Sequence, residues 1–470
     1  MTDHFDADSL HRTAKYFMDT GRAERPEDAV ALLAAFGLNI AVGAEVATSA
    51  LHQIALLTLV NMARRTFLAG VEVFGIPDCA TLVPLAKAKR LSDAVQELGG
   101  TPSTAARPGW PCAIIGGVSF DASAKPAWQL TWQGWRAGVT PASRARRLDE
   151  ARAISLAPAL AAAICAAEVF AHHAGDHPMV GKRDFGLSLW EFTANWLDCE
   201  DGPNLAFLPS KLWLIGLGNL GQALAWLITC LPYRDRRETE IVLQDFDKIG
   251  ASNDSTSLLS SLEEVGHRKA RAVGAWLDRV GFQTVLEERR FGPTTCRGEH
   301  EPGVALCGVD NGEARMALED AGFDLIVEIG LGGGPQAFRS MALHTFPATR
   351  TAREIWSRPI VQDGADYEAL PAYRALKDAG LDECGLAQLA TRTVGVPFVG
   401  MIAACLAISE LLRRLNGGQP LEFAAGSAVA LEFETGSSTP VAYAHGYTEA
   451  VPPPDVPVSE RVRPSSGSGA

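Results

Sequence analysis

The chain has 470 residues, 47% of them apolar and 21% charged, with a formal net charge of −13. This length supports two or three domains with substantial cores, and the composition is that of an ordinary globular protein. The acidic balance argues against a nucleic-acid surface, and the polar start MTDHFDADSL does not read as a secretory signal. Nine scattered cysteines without a C-x-x-C pair make a disulfide framework or structural zinc site unexpected; a reducing cytoplasm fits best.

Residues 11–40 carry helical spacing, with Pro26 placed to open a second helix. A further helix is predicted over 51–67, a buried strand over 69–75 and a glycine-closed helix over 92–100. Residues 111–117 read as a strand, 127–138 alternate as a strand or hairpin, and an alanine-rich helix over 156–173 closes this half. The first half is therefore α/β, but no glycine-rich phosphate loop is found in it. CEDGPNLAFLPS (199–210) reads as a linker.

The second half runs strand, glycine turn, helix, strand, helix, strand. It later reaches the apolar run 394–408, which is interrupted by Pro397 and too short to span a bilayer, so a buried helix is expected. The Pro/Ser/Gly-rich tail from Val451 should be disordered. AAAICAAEVF (161–170) and AACLAISELL (403–412) echo one another, each with a cysteine and then a glutamate before two apolar residues. Either small-residue buried helices simply look alike, or the chain is an old duplication in which one copy kept a nucleotide site.

Three segments could carry chemistry. GLGNLG (216–221) fits G-x-G-x-x-G: Gly216 for the tight turn, Gly218 for backbone approach to phosphate, Gly221 for close helix packing. The helix that follows would point its free amides at an anion. Many NAD enzymes share this pattern. Asp245 ends the next strand and could accept from a ribose hydroxyl; Asp247 is either a site residue or a solvated acid. Ser252-Asn253 follows, and Lys269 falls near the start of a helix, where the macrodipole disfavours a cation. A dinucleotide reductase has no need of that lysine; an enzyme holding a triphosphate does. Asp310 ends VALCGV (304–309) and is placed to hold Mg²⁺, whereas Arg315 could serve only in an ion pair.

In order, GLGNLG, DFD, SN, VGHRK and DNGEAR resemble the ThiF/MoeB and ubiquitin-activating-enzyme superfamily over roughly residues 205–415. The resemblance implies two Rossmann-like adenylation domains with mostly parallel sheets: an inactive one over 1–198 and an active one over 199–450, then the tail 451–470. It implies Mg-ATP as cofactor and adenylation of the C-terminal carboxylate of a ubiquitin-like protein. Asp245 would bind ribose, with Asp247 beside it; Asn253 and Lys269 would contact phosphates, and Asp310 would hold magnesium. A motif-poor half before a motif-rich one is similar to the activating enzymes of bacterial ubiquitin-like (Bil-type) antiphage operons. These hand their cargo to a conjugating-enzyme-like partner; no membrane or nucleic acid is involved, and homodimerisation is left open.

Two departures stand out. The family continues S-N-L-x-R-Q, but here Thr256 and Ser257 stand where arginine and glutamine are expected. Arg12, Arg22 and Arg25 are candidates to supply the missing cation from the other half. The zinc cysteines of ThiF and MoeB are also absent. For thioester formation Cys384, in the loop-like stretch 376–395, is favoured over its rival Cys296, whose neighbour is Arg297. Cys165, Cys230, Cys307 and Cys405 read as core. GLGGG (330–334) is either a thin groove for an entering peptide or a strand-to-strand turn. Competing readings are a ThiF-like adenylase without a cysteine thioester, an NAD-dependent oxidoreductase, and a scaffold with a decayed site.

Overall fold

The computed structural model describes residues 10–118, 126–357, 367–439 and 443–451; the tail predicted to be disordered lies, beyond Val451, outside them. Two sheets are built on one plan. The first comprises β1 (Gly37–Val42), β2 (Gly70–Phe74), β3 (Thr101–Ser103), β4 (Cys112–Ile115), β5 (Ala127–Gln133), β6 (Arg136–Pro141) and β7 (Phe185–Ser188). Its order is β3-β2-β1-β4-β5-β6-β7. After β8 (Phe207–Pro209), the second comprises β9 (Lys211–Ile215), β10 (Glu240–Gln244), β11 (Gln283–Glu287), β12 (Val304–Cys307), β13 (Leu325–Leu331), β14 (Ser340–Phe346), β15 (Leu421–Ser427) and β16 (Phe433–Ser437). Its order is β11-β10-β9-β12-β13-β14-β15-β16. In each sheet five neighbouring strands run parallel and the remainder antiparallel. A small ribbon, β17 (Tyr447–Glu449) on β8, ties the end of the described chain to the start of the second half.

The helices repeat the plan. α1 (Lys15–Asp19) and α2 (Pro26–Leu33), the latter opened by Pro26 at its first turn, precede β1. α3 (Ala50–Thr66) and α4 (Leu91–Glu97) follow β1 and β2, and α5 (Leu156–Ala174) joins β6 to β7. In the second half α6 (Asn219–Cys230) and α7 (Lys269–Arg279) follow β9 and β10. Short helices α8 (Gly312–Met316), α9 (Gly334–Ala337), α10 (Ala352–Trp356), α11 (Pro371–Asp378) and α12 (Glu383–Thr391) lead to α13 (Pro397–Leu415), which joins β14 to β15. The echoing segments are thus α5 and α13, at the same place in the two sheets. Both glutamates are buried and paired, as buried charges must be: Glu168 with Arg183 at 2.7 Å, Glu410 with Arg413 at 2.7 Å and Arg414 at 2.6 Å.

Helices α3, α5, α6 and α13 are almost wholly buried and pack one half on the other, with Phe170 and Phe398 rings 5.6 Å apart and Trp226 Nε1 donating to Thr58 Oγ1 at 3.0 Å. One continuous apolar core runs through both halves. Each fully buried large side chain contributes about 1.5–3 kcal/mol, which holds the halves together as a single body. α5, 19 residues long, has the length and apolarity of a membrane span, but it is consumed by this core.

Two sequence expectations are corrected. The helical spacing over 11–40 does not hold to its end: Gly37–Val42 is an interior strand of the first sheet, buried along its whole length. It follows the alanine-rich end of α2 after a short turn, so its apolar run merges with the helical pattern. The stretch 376–395 is largely helical: it holds the end of α11 and all of α12, whose amino end is capped by Asp382 accepting from Gly385 N–H at 2.7 Å.

Candidate active site

In the second sheet the chain leaves β9 for β10 on one side and later returns to β12 on the other. The crevice beyond the carboxyl ends of β9 and β12 is the switch point at which open α/β sheets bind ligands. The glycine turn lies there, and its three glycines differ. Gly216 has φ +82°, a left-handed conformation. A Cβ on Gly221 would lie 1.9 Å from the Gly216 carbonyl oxygen, so only glycine lets α6 approach β9 this closely. A Cβ on Gly218 would meet nothing within 4 Å. Gly218 is therefore the point at which an anion can reach the amino end of α6.

Asp245, just past β10, is 9% exposed. Its Oδ2 accepts from Leu217 N–H inside the glycine turn and its Oδ1 from Asp247 N–H, both at 2.7 Å. Burial pushes its pKa up, and the nearby Lys269 ammonium pulls against that shift. Lys269 is the first residue of α7, and its Nζ pairs with Asp247 Oδ2 at 3.0 Å. Asp247 is thus a tether for the lysine and not merely a solvated acid. Asn253, in the short 3-10 turn Ala251–Ser255, accepts from Gly250 N–H through Oδ1 at 2.8 Å, leaving its amide nitrogen for another acceptor.

Asp310 follows β12 by three residues, is exposed, and forms no hydrogen bond or ion pair among the described residues. A carboxylate with no internal partner among the described residues, next in the chain to Val309, which would lie 3.1 Å from a Cβ on Gly216, suits a hard cation such as Mg²⁺. Its neighbour Asn311 caps α8 through Ala314 N–H at 2.8 Å. Arg315 is buried against Glu328 at 3.1 Å and stacks over Trp356, so it is the ion pair that the sequence allowed.

A segment near the start of the chain completes the crevice. Arg12 donates from Nε and Nη2 to the Thr393 carbonyl at 3.1 and 2.7 Å, and from its backbone to Ser255 Oγ at 3.2 Å. Thr13 Oγ1 donates to the Gly395 carbonyl at 3.0 Å, and Asn219 of the glycine turn donates to Val396 O at 3.2 Å. Residues 393–396 therefore pass between the glycine turn, the 251–257 loop and Arg12. Arg22 and Arg25 do not join them: Arg22 donates to Ala174 O at 2.8 Å, and Arg25 is exposed beside Asp28. GLGGG ends β13 with Gly330 and Leu331 and opens α9 with Gly334, so it is more than a strand-to-strand turn; a Cβ on Gly333 would lie 3.6 Å from the Thr393 methyl.

Cys165, Cys230, Cys307 and Cys405 are buried as expected, and burial pushes the Cys230 and Cys307 thiols up to about 12. Cys296 is exposed, but Arg297 beside it is bonded to Ala321 O at 2.9 Å and Gly322 O at 2.8 Å. Those residues precede β13, so Cys296 lies at the edge of the sheet opposite the glycine turn. Cys384 is the second residue of α12; its side chain lies outside the described residues.

Residues 37–189 match the BilD N-terminal domain family and residues 208–418 the BilD C-terminal domain family. Across 449 residues, 95% of this chain and 97% of the relative, the protein is 59% identical to "Bacterial E1-like protein BilD" of Collimonas sp. (strain OK412). The chain belongs to the BilD family. Among solved structures, E. coli MccB is similar at 14% identity and TM-score 0.34, over 50% of this chain and 65% of MccB; the form titled MccB with ATP aligns with a TM-score of 0.32. The BilD N-terminal match coincides with the first sheet and the C-terminal match with most of the second.

Proposed function

We propose that this BilD-family protein activates the C-terminal carboxylate of a ubiquitin-like protein with Mg-ATP and then holds it as a thioester. The observation that carries this reading is the meeting of Gly218, Asp245, Lys269 and Asp310 at one sheet crevice. An NAD enzyme would use the first two and leave the last two without a role. Asp245 takes the ribose, Asn253 and Lys269 the phosphates, with Asp247 holding the lysine in place. Gly216, Gly218 and Gly221 shape the floor. Asp310 would hold magnesium, which would supply neutralisation of phosphate charge. Arg12, beside Ser255 and Thr393, supplies the cation that the SNDSTS sequence lacks.

The carboxylate oxygen of the ubiquitin-like tail attacks the α-phosphorus of ATP, and pyrophosphate leaves with the electron pair of the broken P–O bond. The site contributes position and charge stabilisation. The Cys384 thiolate then attacks the acyl carbon, AMP departs, and the thioester passes to a conjugating-enzyme-like partner. Cys384, the second residue of α12, is the receiver in this reading, and the remote position of Cys296 weighs against that rival. A cytoplasmic antiphage conjugation system is the setting that the Bil-type resemblance implies.

The test is a non-reducing gel of the protein with a candidate ubiquitin-like partner and Mg-ATP. A thiol-sensitive adduct lost in Cys384→Ala and in Asp310→Ala, but kept in Cys296→Ala, is expected. Pyrophosphate release that needs Asp310 but gives no adduct would replace the thioester step by simple adenylation.

A further inference from the structure

The first half touches the loop that carries Asn253 through a built contact, not through general packing. Arg65, at the end of α3 and 4% exposed, spends its whole guanidinium on the second half and on one helper. Its Nη1 donates to Asp254 O at 2.6 Å and Ser260 O at 3.1 Å, and its Nη2 to Leu258 O at 3.0 Å and Ser260 O at 3.1 Å. Its Nε donates to Asn61 Oδ1 at 3.0 Å, while Asn61 Nδ2 donates to Leu258 O at 3.1 Å. Arg64 forms a two-point pair with Asp254 at 2.9 and 2.8 Å. Thus α3 grips both ends of the stretch 254–260.

The same stretch is tied to the glycine turn from behind. Gln222 of α6 donates to Ser260 Oγ at 2.8 Å and to Leu217 O at 3.1 Å, and accepts from Leu259 N–H at 2.7 Å. Leu217 N–H is itself the donor to Asp245. A continuous chain of hydrogen bonds therefore runs from Arg65 through Ser260 and Gln222 to the glycine turn and Asp245. Carbonyls turned inward at 254, 258 and 260 would be costly to bury without these donors. The five N–H donors of the planar guanidinium meet these three carbonyls and Asn61 Oδ1 together; an ammonium, with three donors on one nitrogen, cannot reproduce that set.

We infer that Arg64 and Arg65 of the first half are positioning residues for nucleotide binding in the second half, acting through the 254–260 segment on Asn253 and the glycine turn. The inference rests on the nucleotide reading proposed above. It gives a defined role to the first half. That half fixes the loop whose sequence departs from the family pattern.

The full-length protein, Arg64→Ala, Arg65→Lys and Arg65→Ala are compared by titration with Mg-ATP, by hydrogen exchange of the 251–260 backbone, and by thermal unfolding. Arg64→Ala removes a partly exposed side chain and tests the idea even where Arg65→Ala fails to fold. Arg64→Ala and Arg65→Lys should each weaken Mg-ATP by about tenfold, the scale on which a displaced binding group acts, and should speed exchange at 251–260 while the rest of the second sheet stays protected. In pyrophosphate exchange the loss should fall mainly on KM for ATP. Faster exchange with unchanged ATP affinity, or unchanged exchange, overturns the inference alone. Wild-type protein that does not bind Mg-ATP overturns the functional reading and this inference with it.

Discussion

The two halves share strand order, crossover positions and a glutamate-bearing helix, yet they treat the same crevice in opposite ways. In the second half the space beyond β9 and β12 is open above Gly218. In the first half a side chain, Glu45, sits in the space beyond β1 and β4. Glu45 Oε1 accepts from Gly117 N–H at 2.9 Å and pairs with Arg147 at 3.0 Å. Its other oxygen lies 2.5 and 2.7 Å from where a Cβ on Gly43 or Gly116 would stand. Past β2 the next acid, Asp78, is turned into solvent beside Arg90 at 2.7 Å, far from the burial of Asp245. On the proposed reading, a carboxylate of the chain itself takes the place that an external anion takes in the second half. One scaffold would thus yield a site or a plug, depending on whether glycine or glutamate lines the opening.

The sharpest way to break this comparison is to plug the second half. Gly218→Glu should lower Mg-ATP affinity by about 1,000-fold, because a carboxylate facing phosphates costs several kcal/mol; calorimetric titration reads this directly. Asp310→Ala should slow pyrophosphate exchange on the order of 100-fold through lost cation binding, with an unchanged melting temperature because Asp310 has no internal partner among the described residues. Gly221→Ala should destabilise by about 3 kcal/mol, the upper end of overpacking costs, while Gly218→Ala leaves denaturant unfolding unchanged. The pH dependence sharpens the contrast further. On the proposed reading Asp245 accepts from ribose, more strongly when ionised, and burial raises its pKa. Nucleotide affinity should therefore fall on acidification at a higher pH than an ordinary aspartate would dictate, and Asp245→Asn should flatten that fall in a titration series. The smallest effect is expected from Glu45→Gly: one ATP per chain, as before, because a vacated opening lacks a ribose acceptor. A second bound nucleotide would contradict the contrast.

Much of the second half is legible in its sequence because its groups sit beside strand ends that local patterns reveal. GLGNLG, Asp245 and Asp310 each follow a short apolar run, Lys269 opens the helix after the second of them, and their order along the chain carries over to one crevice. The echo between α5 and α13 points to the repeated plan. The features that sequence reading misses lack a local signal. β1 is hidden because six buried residues adjoining an alanine-rich helix do not alternate. The helical character of 376–395 is masked by its glycines and acids. Arg64 and Arg65 end an apolar helix in the other half, where nothing nearby in sequence hints that their acceptors lie some 190 residues on. Of the three arginines proposed to cross between halves, only Arg12 meets the 251–257 loop, a distinction made by folding and not by spacing.

Arg12 and Thr13 bond to residues 393 and 395, 381 and 382 positions later in the chain. During synthesis the first sheet can be completed early, since domains fold in order as they emerge. Residues 12 and 13 must nonetheless wait for the stretch after α12 before their partners exist. The crevice is thus among the last parts of the molecule to close, and a chain released before residue 396 would hold both β9 and β12 yet lack the strip that joins them to Arg12. Completed translation is in effect a precondition of the proposed activation, written into the connectivity.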